Sequence, residues 1–77
     1  MTKAYLICDR TSGLPIYFSL EVARNLAAPY GWTTVPKEAL GFAREVDADR
    51  FLQTYLPHAA PYATPTLTHW EKDEHSN

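Results

Sequence analysis

Cys8, His58, His69 and His75 are the side chains of this 77-residue chain whose types first suggest nucleophilic or metal chemistry. Cys8 with His58 or His69 as base would form a thiol nucleophile, which needs a thiolate-favouring place at a helix N-terminus or beside a cation. Set between Ile7 and Asp9 in an apolar stretch, Cys8 reads instead as a small buried hydrophobe. The three histidines share no i,i+4 or His-x-His spacing that would put two ligands on one face. A metal site would have to be assembled in space with acids such as Glu71 or Asp73. A triad of Ser12, His58 and Asp9 can be drawn, as three such residues can in almost any chain. Gly13 stands alone, without a glycine-rich phosphate cradle or a Gly-x-x-x-x-Gly-Lys run. The chain thus offers no catalytic, cofactor-binding or metal-binding set, and it reads as a non-enzyme without a cofactor.

The aromatic residues carry more information. Ten of the 77 are Phe, Trp or Tyr, and a small core absorbs about half of them. Tyr30, Trp32, Tyr62 and Trp70 fall outside the elements expected to build that core. Interfaces concentrate Tyr, Trp and Arg, so these four, with Arg10 or Arg24 at the rim, form the candidate partner-binding surface, Tyr30, Trp32, Tyr62, Trp70 and Arg10 being its candidate residues. The competing reading is that they cap the core from its edges.

Charge narrows the partner. Residues 1–70 balance six bases against six acids, and the net −2 belongs to the segment 71–77. Nucleic-acid binders normally carry a basic excess, because counterion release supplies most of their affinity. None is present, so stacking of bases on the aromatic rings is disfavoured and a small nucleic-acid-binding regulator is only the alternative reading. A lone cysteine forms no intramolecular disulfide, which points to a reducing, cytoplasmic compartment. The apolar run Ala4–Cys8 is too short for a membrane span.

The elements that would position these residues follow from periodicity and punctuation. Lys3–Asp9 reads as a strand with Tyr5 and Ile7 on one face and Ala4, Leu6 and Cys8 on the other, apolar on both and therefore central. Arg10–Gly13 supplies turn chemistry and Pro15–Ser19 the returning strand of a hairpin. Ser19 is placed to cap a helix over Leu20–Ala28 that Pro29 ends. Pro36–Leu40 predicts a helical turn stopped by Gly41, and Phe42–Ala43 a short strand. The strongest helix signal spans Asp47–Leu56, with Asp47 as N-cap, Val46 and Phe51 as a hydrophobic staple, and Ala48, Phe51, Leu52, Tyr55 and Leu56 on one face. Prolines at 57, 61 and 65 predict an extended arm over 57–70, an accessory to a core of residues 3–56. Within it, Thr66–Trp70 alternates like an edge strand. The expected fold is one α+β domain over residues 1–70, a small antiparallel sheet with an amphipathic helix across one face, followed by a disordered acidic tail at 71–77.

The order of landmarks Tyr5-Leu6-Ile7, the Gly13 turn, Tyr17-Phe18-Ser19, Trp32, Ala39…Phe42 and Ala48…Phe51-Leu52 resembles a pattern found in short phage and prophage proteins. It covers about residues 5–52, and departs from it in the longer Leu20–Tyr30 insertion and the proline-rich segment. The resemblance implies a non-catalytic inhibitor of a host defence complex, of the anti-CRISPR kind, that docks on a protein target; it carries no site residue over. Homodimerisation also fits a marginal core that gains by covering strand edges or aromatics with a second copy.

Overall fold

The computed structural model describes residues 3–26 and 31–70. β1 (Lys3–Asp9) occupies the middle of the sheet. On one edge it pairs antiparallel with β5 (Ala63–His69) over its whole length, from Lys3↔His69 to Asp9↔Ala63. Two short strands share the other edge: β2 (Ile16–Phe18) pairs with Cys8 and Asp9, and β4 (Gly41–Phe42) with Tyr5 and Leu6. β3 (Trp32–Thr33) lies outside β2. With α1 (Leu20–Leu26) and α2 (Glu45–Tyr55), this is the α+β architecture the sequence predicts, built on five strands.

β1 is central because it is apolar on both faces. Ile7 joins Phe18, Leu52, Leu56, Ala59 and Ala63 in a core on the α2 side. Ala4, Leu6 and Cys8 join Tyr17 and Ala39 on the opposite side, with Trp70 packed against them. Leu6, Ile7, Leu52 and Leu56 are completely or almost completely buried, each stabilising the fold by about 1.5–3 kcal/mol relative to an exposed side chain.

The hairpin forms as its turn residues dictate. Gly13 adopts φ +100°, and the Asp9 carboxylate accepts hydrogen bonds from the Thr11 backbone N–H at 2.8 Å and the Thr11 hydroxyl at 2.7 Å. Ser19 caps α1 as expected, its buried hydroxyl oxygen accepting from the Val22 N–H at 3.3 Å. The described part of this helix ends at Leu26; the predicted end at Ala28–Pro29, and Tyr30, lie outside the described residues. Pro36–Glu38 forms the expected helical turn, of the 3₁₀ type. Gly41 does not stop it, however: the turn closes earlier, with the Ala39 N–H donating to Pro36 O at 3.0 Å, and Gly41 opens β4.

Two further expectations need correction. The principal helix starts at Glu45 with Arg44 as N-cap, not at Asp47. The Asp47 carboxylate is taken by the Arg44 guanidinium in two 2.9 Å hydrogen bonds, so it caps no backbone N–H, and Val46 stays half exposed instead of stapling Phe51. The proline-rich segment is also not an extended accessory arm. Residues 57–62 fold into consecutive turns, with Ala59 and Ala60 N–H donating to Leu56 O and Tyr62 and Ala63 N–H to Ala59 O. Those turns bury Ala59 and Ala63 in the α2-side core and deliver β5 to β1. The core therefore extends well past residue 56. The tail expected over 71–77 lies outside the described residues.

β5 is an edge strand among the described residues, as alternation suggested. The Ala63 N–H is committed to Ala59 O, so the backbone of Ala63 points away from β1. Strand alternation gives Pro65 the same orientation. Its missing N–H leaves no gap in the β1–β5 ladder, and the outer edge lacks free donors at both 63 and 65.

Candidate functional site

Both helices follow strands that end in core residues, and both settle on the face of the sheet that carries Ile7 and Phe18. Between them runs an open groove of about 430 Å³. Phe18 and Leu56, both buried, form its floor; Leu20, Ala23 and Arg24 of α1 face Phe51 and Tyr55 of α2. Phe51 is the hub of an aromatic row, 5.7 Å from Phe18, 5.5 Å from Phe42 and 4.8 Å from Tyr55 between ring centroids. Phe51 thus packs inward while Tyr55, one turn later, remains 65% exposed. Leu20 and Leu26 add exposed apolar surface on α1. Arg24 is the groove's charged lining residue, and the single ion pair among the described residues is Arg44–Asp47, elsewhere.

The residues singled out by the sequence are distributed differently. Trp32 meets Phe18 edge to face at 5.8 Å and packs against the α2-side core. Trp70 lies over Gly41 on the β4 side, donating its indole N–H to Ala39 O at 2.9 Å, and packs on the opposite core. Both indoles cap core edges, the alternative role weighed for them. Arg10 and Tyr62 flank the Asp9↔Ala63 pair, so the two exposed residues share one end of the sheet, together with exposed Leu14 in the β1–β2 turn. Trp70 follows His69 at the other end. The structure therefore brings Arg10 and Tyr62 together, separates them from Trp32 and Trp70, and leaves Tyr30 outside the described residues.

Sequence reasoning missed the groove itself, although its parts were visible. Leu20, Ala23, Phe51, Tyr55 and Leu56 all fall on apolar helical stripes. The usable signal was surplus: each stripe is wider than the small sheet beneath it can cover.

The chemistry-bearing side chains are spread apart or engaged. Cys8 is 3% exposed, and burial pushes its thiol above the ordinary range, with Asp9 adding to the rise and Arg10 opposing it. A protonated, enclosed thiol is a poor nucleophile. Ser12 donates to Leu14 O and Asp9 is occupied by Thr11. Among the described residues no three His, Cys, Asp or Glu side chains are grouped to hold a metal ion, and no helix is long and apolar enough to cross a membrane. The chain matches no protein-family model, and neither a curated protein nor a solved structure is found to be similar to it.

Proposed function

We propose that this protein is a non-catalytic binding module that docks on a protein target through the groove between α1 and α2. The observation that carries the reading is the apolar lining: Leu20, Phe51 and Tyr55 flank a floor of Phe18 and Leu56, with Tyr55 and Leu20 left exposed. Exposed apolar concavities with an aromatic anchor and an arginine at the rim have the composition of interface hot spots. The resemblance of residues 5–52 to short phage proteins adds the finer form of the proposal, a stoichiometric inhibitor of a host complex. The charge pattern gives a nucleic-acid regulator no support, since Glu45, Asp47 and Asp49 crowd the start of α2 and would repel phosphates.

The test compares affinity capture by the wild-type chain with capture by Leu20→Asp and Tyr55→Ala, both at exposed positions, with Leu14→Asp, exposed and outside the groove lining, as a control. A target lost with both groove variants and kept with the control supports the reading. Equal recovery with all four proteins refutes it, and a salt-sensitive gel shift with DNA or RNA would favour the alternative.

A further inference from the structure

We propose that α1 is a movable wall of the groove, a helix that swings away and returns while the sheet and α2 stay folded. Its use as a gate rests on the reading of the groove as a docking surface, whereas the opening itself rests on packing. The chain leaves β2 through Ser19 and enters β3 through Gly31, and the Ser19 N–H donates to Gly31 O at 2.8 Å. The two ends of the excursion are therefore tied to each other, and next to them Phe18 pairs with Trp32 in the sheet. Displacing α1 breaks neither that bond nor any rung of the β2–β3 ladder. An excursion with joined ends can open as a local unit and leave its base in place.

Little holds α1 in the closed position. None of its described residues is buried, Leu20 and Leu26 are exposed, and its footing on the core is Ala23. Its cap bond, from the Val22 N–H to the Ser19 hydroxyl, is long at 3.3 Å, and Glu21 and Arg24 form no ion pair with each other. The stretch between Ser19 and Pro29 is also shorter than the ~12–15 residues at which an isolated helix becomes even marginally stable. The closed fit is nonetheless specific: a methyl group added at Gly31 would lie 2.5 Å from Cβ and 2.9 Å from Cα of Ala23. The core beneath survives the opening, because Phe18 is held by Trp32 and Phe51, and Leu56 by its cluster with Ile7 and Leu52. Withdrawal of Leu20 and Ala23 widens the groove over Phe18 and Leu56. An occupant too bulky for the closed width then enters through the open state, and its affinity is reduced by the fraction of molecules that are closed.

The experiment is native-state hydrogen exchange of the full chain, followed by NMR over a series of low urea concentrations. The amides of residues 23–26, the first of them bonded to Ser19 O at 3.0 Å, should exchange on the order of a hundredfold or more faster than those of β1, and without the urea dependence that β1 shows. Ile7→Val, in the core beneath, should speed the β1 amides by about two- to tenfold and leave the α1 amides unchanged, since that core stays intact when α1 opens. Gly31→Ala crowds the closed position and should speed the α1 amides by about fivefold or more. If α1 exchanges in step with β1, in urea and in Ile7→Val alike, it belongs to the one cooperative unit and the proposal is overturned. Exchange of α1 at the rate of an unstructured peptide, or indifference to Gly31→Ala, overturns it too, because no closed wall is then held at Ala23. The groove reading fails separately. Affinity capture lost with Leu20→Asp while α1 opens only with β1 keeps the docking surface and removes the gate. Capture indifferent to Leu20→Asp while α1 opens alone removes the docking surface, and the gate's use with it.

Discussion

A methyl group added at Gly41 would stand 2.7 Å from Cε2 of Trp70 and 2.9 Å from Cδ2 and Cζ2, well inside van der Waals contact. The indole has little room to retreat, since its N–H is bound to Ala39 O and its ring packs on the Ala4, Leu6 and Cys8 core. Gly41→Ala should therefore cost about 1–3 kcal/mol, the usual range for overpacking. The backbone at Gly41 is not the obstacle, because among the described glycines positive φ occurs only at Gly13. Trp70→Ala removes the obstructing ring and should itself cost about 2–3 kcal/mol, combining a lost hydrogen bond of about 1 kcal/mol with part of the burial of a partly buried indole. In that background the alanine at 41 meets no ring, and it lowers the entropy of the unfolded chain by about 0.4–1 kcal/mol. The sign of the Gly41→Ala effect should thus reverse: destabilising in the wild type, neutral or stabilising beside Trp70→Ala. Urea unfolding of the four proteins, followed by far-ultraviolet circular dichroism, reads the coupling directly. Additivity within about 0.5 kcal/mol would refute the argument that Gly41 exists to admit the Trp70 ring.

Three further outcomes follow from individual contacts. Cys8 should label with a disulfide reagent only as fast as the native state opens, and denaturant should accelerate that reaction in step with unfolding; prompt native labelling would contradict the burial of its thiol. The Arg44 guanidinium holds the Asp47 carboxyl below its usual range by hydrogen bonding and charge. The pair therefore stabilises α2 above the unfolded carboxyl pKa and loses that contribution as pH falls through the lower folded value; carbon-detected NMR titration of Arg44→Met should show the Asp47 pKa rising toward normal. Pro65→Val restores a backbone donor on the outer edge of β5, and light scattering over a concentration series should show more self-association than in the wild type.

How much of this was legible in the sequence depended on the range of the interaction. β1 was readable because both of its faces are apolar within seven residues, and the hairpin because Asp9, Gly13 and Pro15 act on their immediate neighbours. Ser19 likewise announces α1 through a hydrogen bond three residues long. The start of α2 was misplaced because Asp47 had two local uses, and the side chain of Arg44 outcompeted the backbone for it. The turns at 57–62 were hidden for another reason. Prolines signal only what a segment avoids, while Ala59 and Ala63, whose burial organises it, are too small to mark a hydrophobic period. Trp70 could be recognised as an aromatic outside the expected core but not as the cover of Gly41, a contact across many residues of chain. The groove belongs to the same class: its walls were visible as two stripes, and only tertiary packing decides which part of each remains open.

The pairing of β1 with β5 also sets how the molecule must assemble. The first described strand finds its longest partner in the last, so the ladder that spans Lys3–Asp9 closes a loop of almost the entire described chain. Loop-closure entropy is met before those contacts return anything, which makes non-local pairing of this kind slow. During synthesis, β1 emerges with two apolar faces and waits for every other element before its long edge is covered. β2 and β4 hold only short stretches of the opposite edge. The chain is then most vulnerable to misassociation before β5 arrives, and loss of that strand should remove the cooperative fold as a whole instead of trimming its periphery.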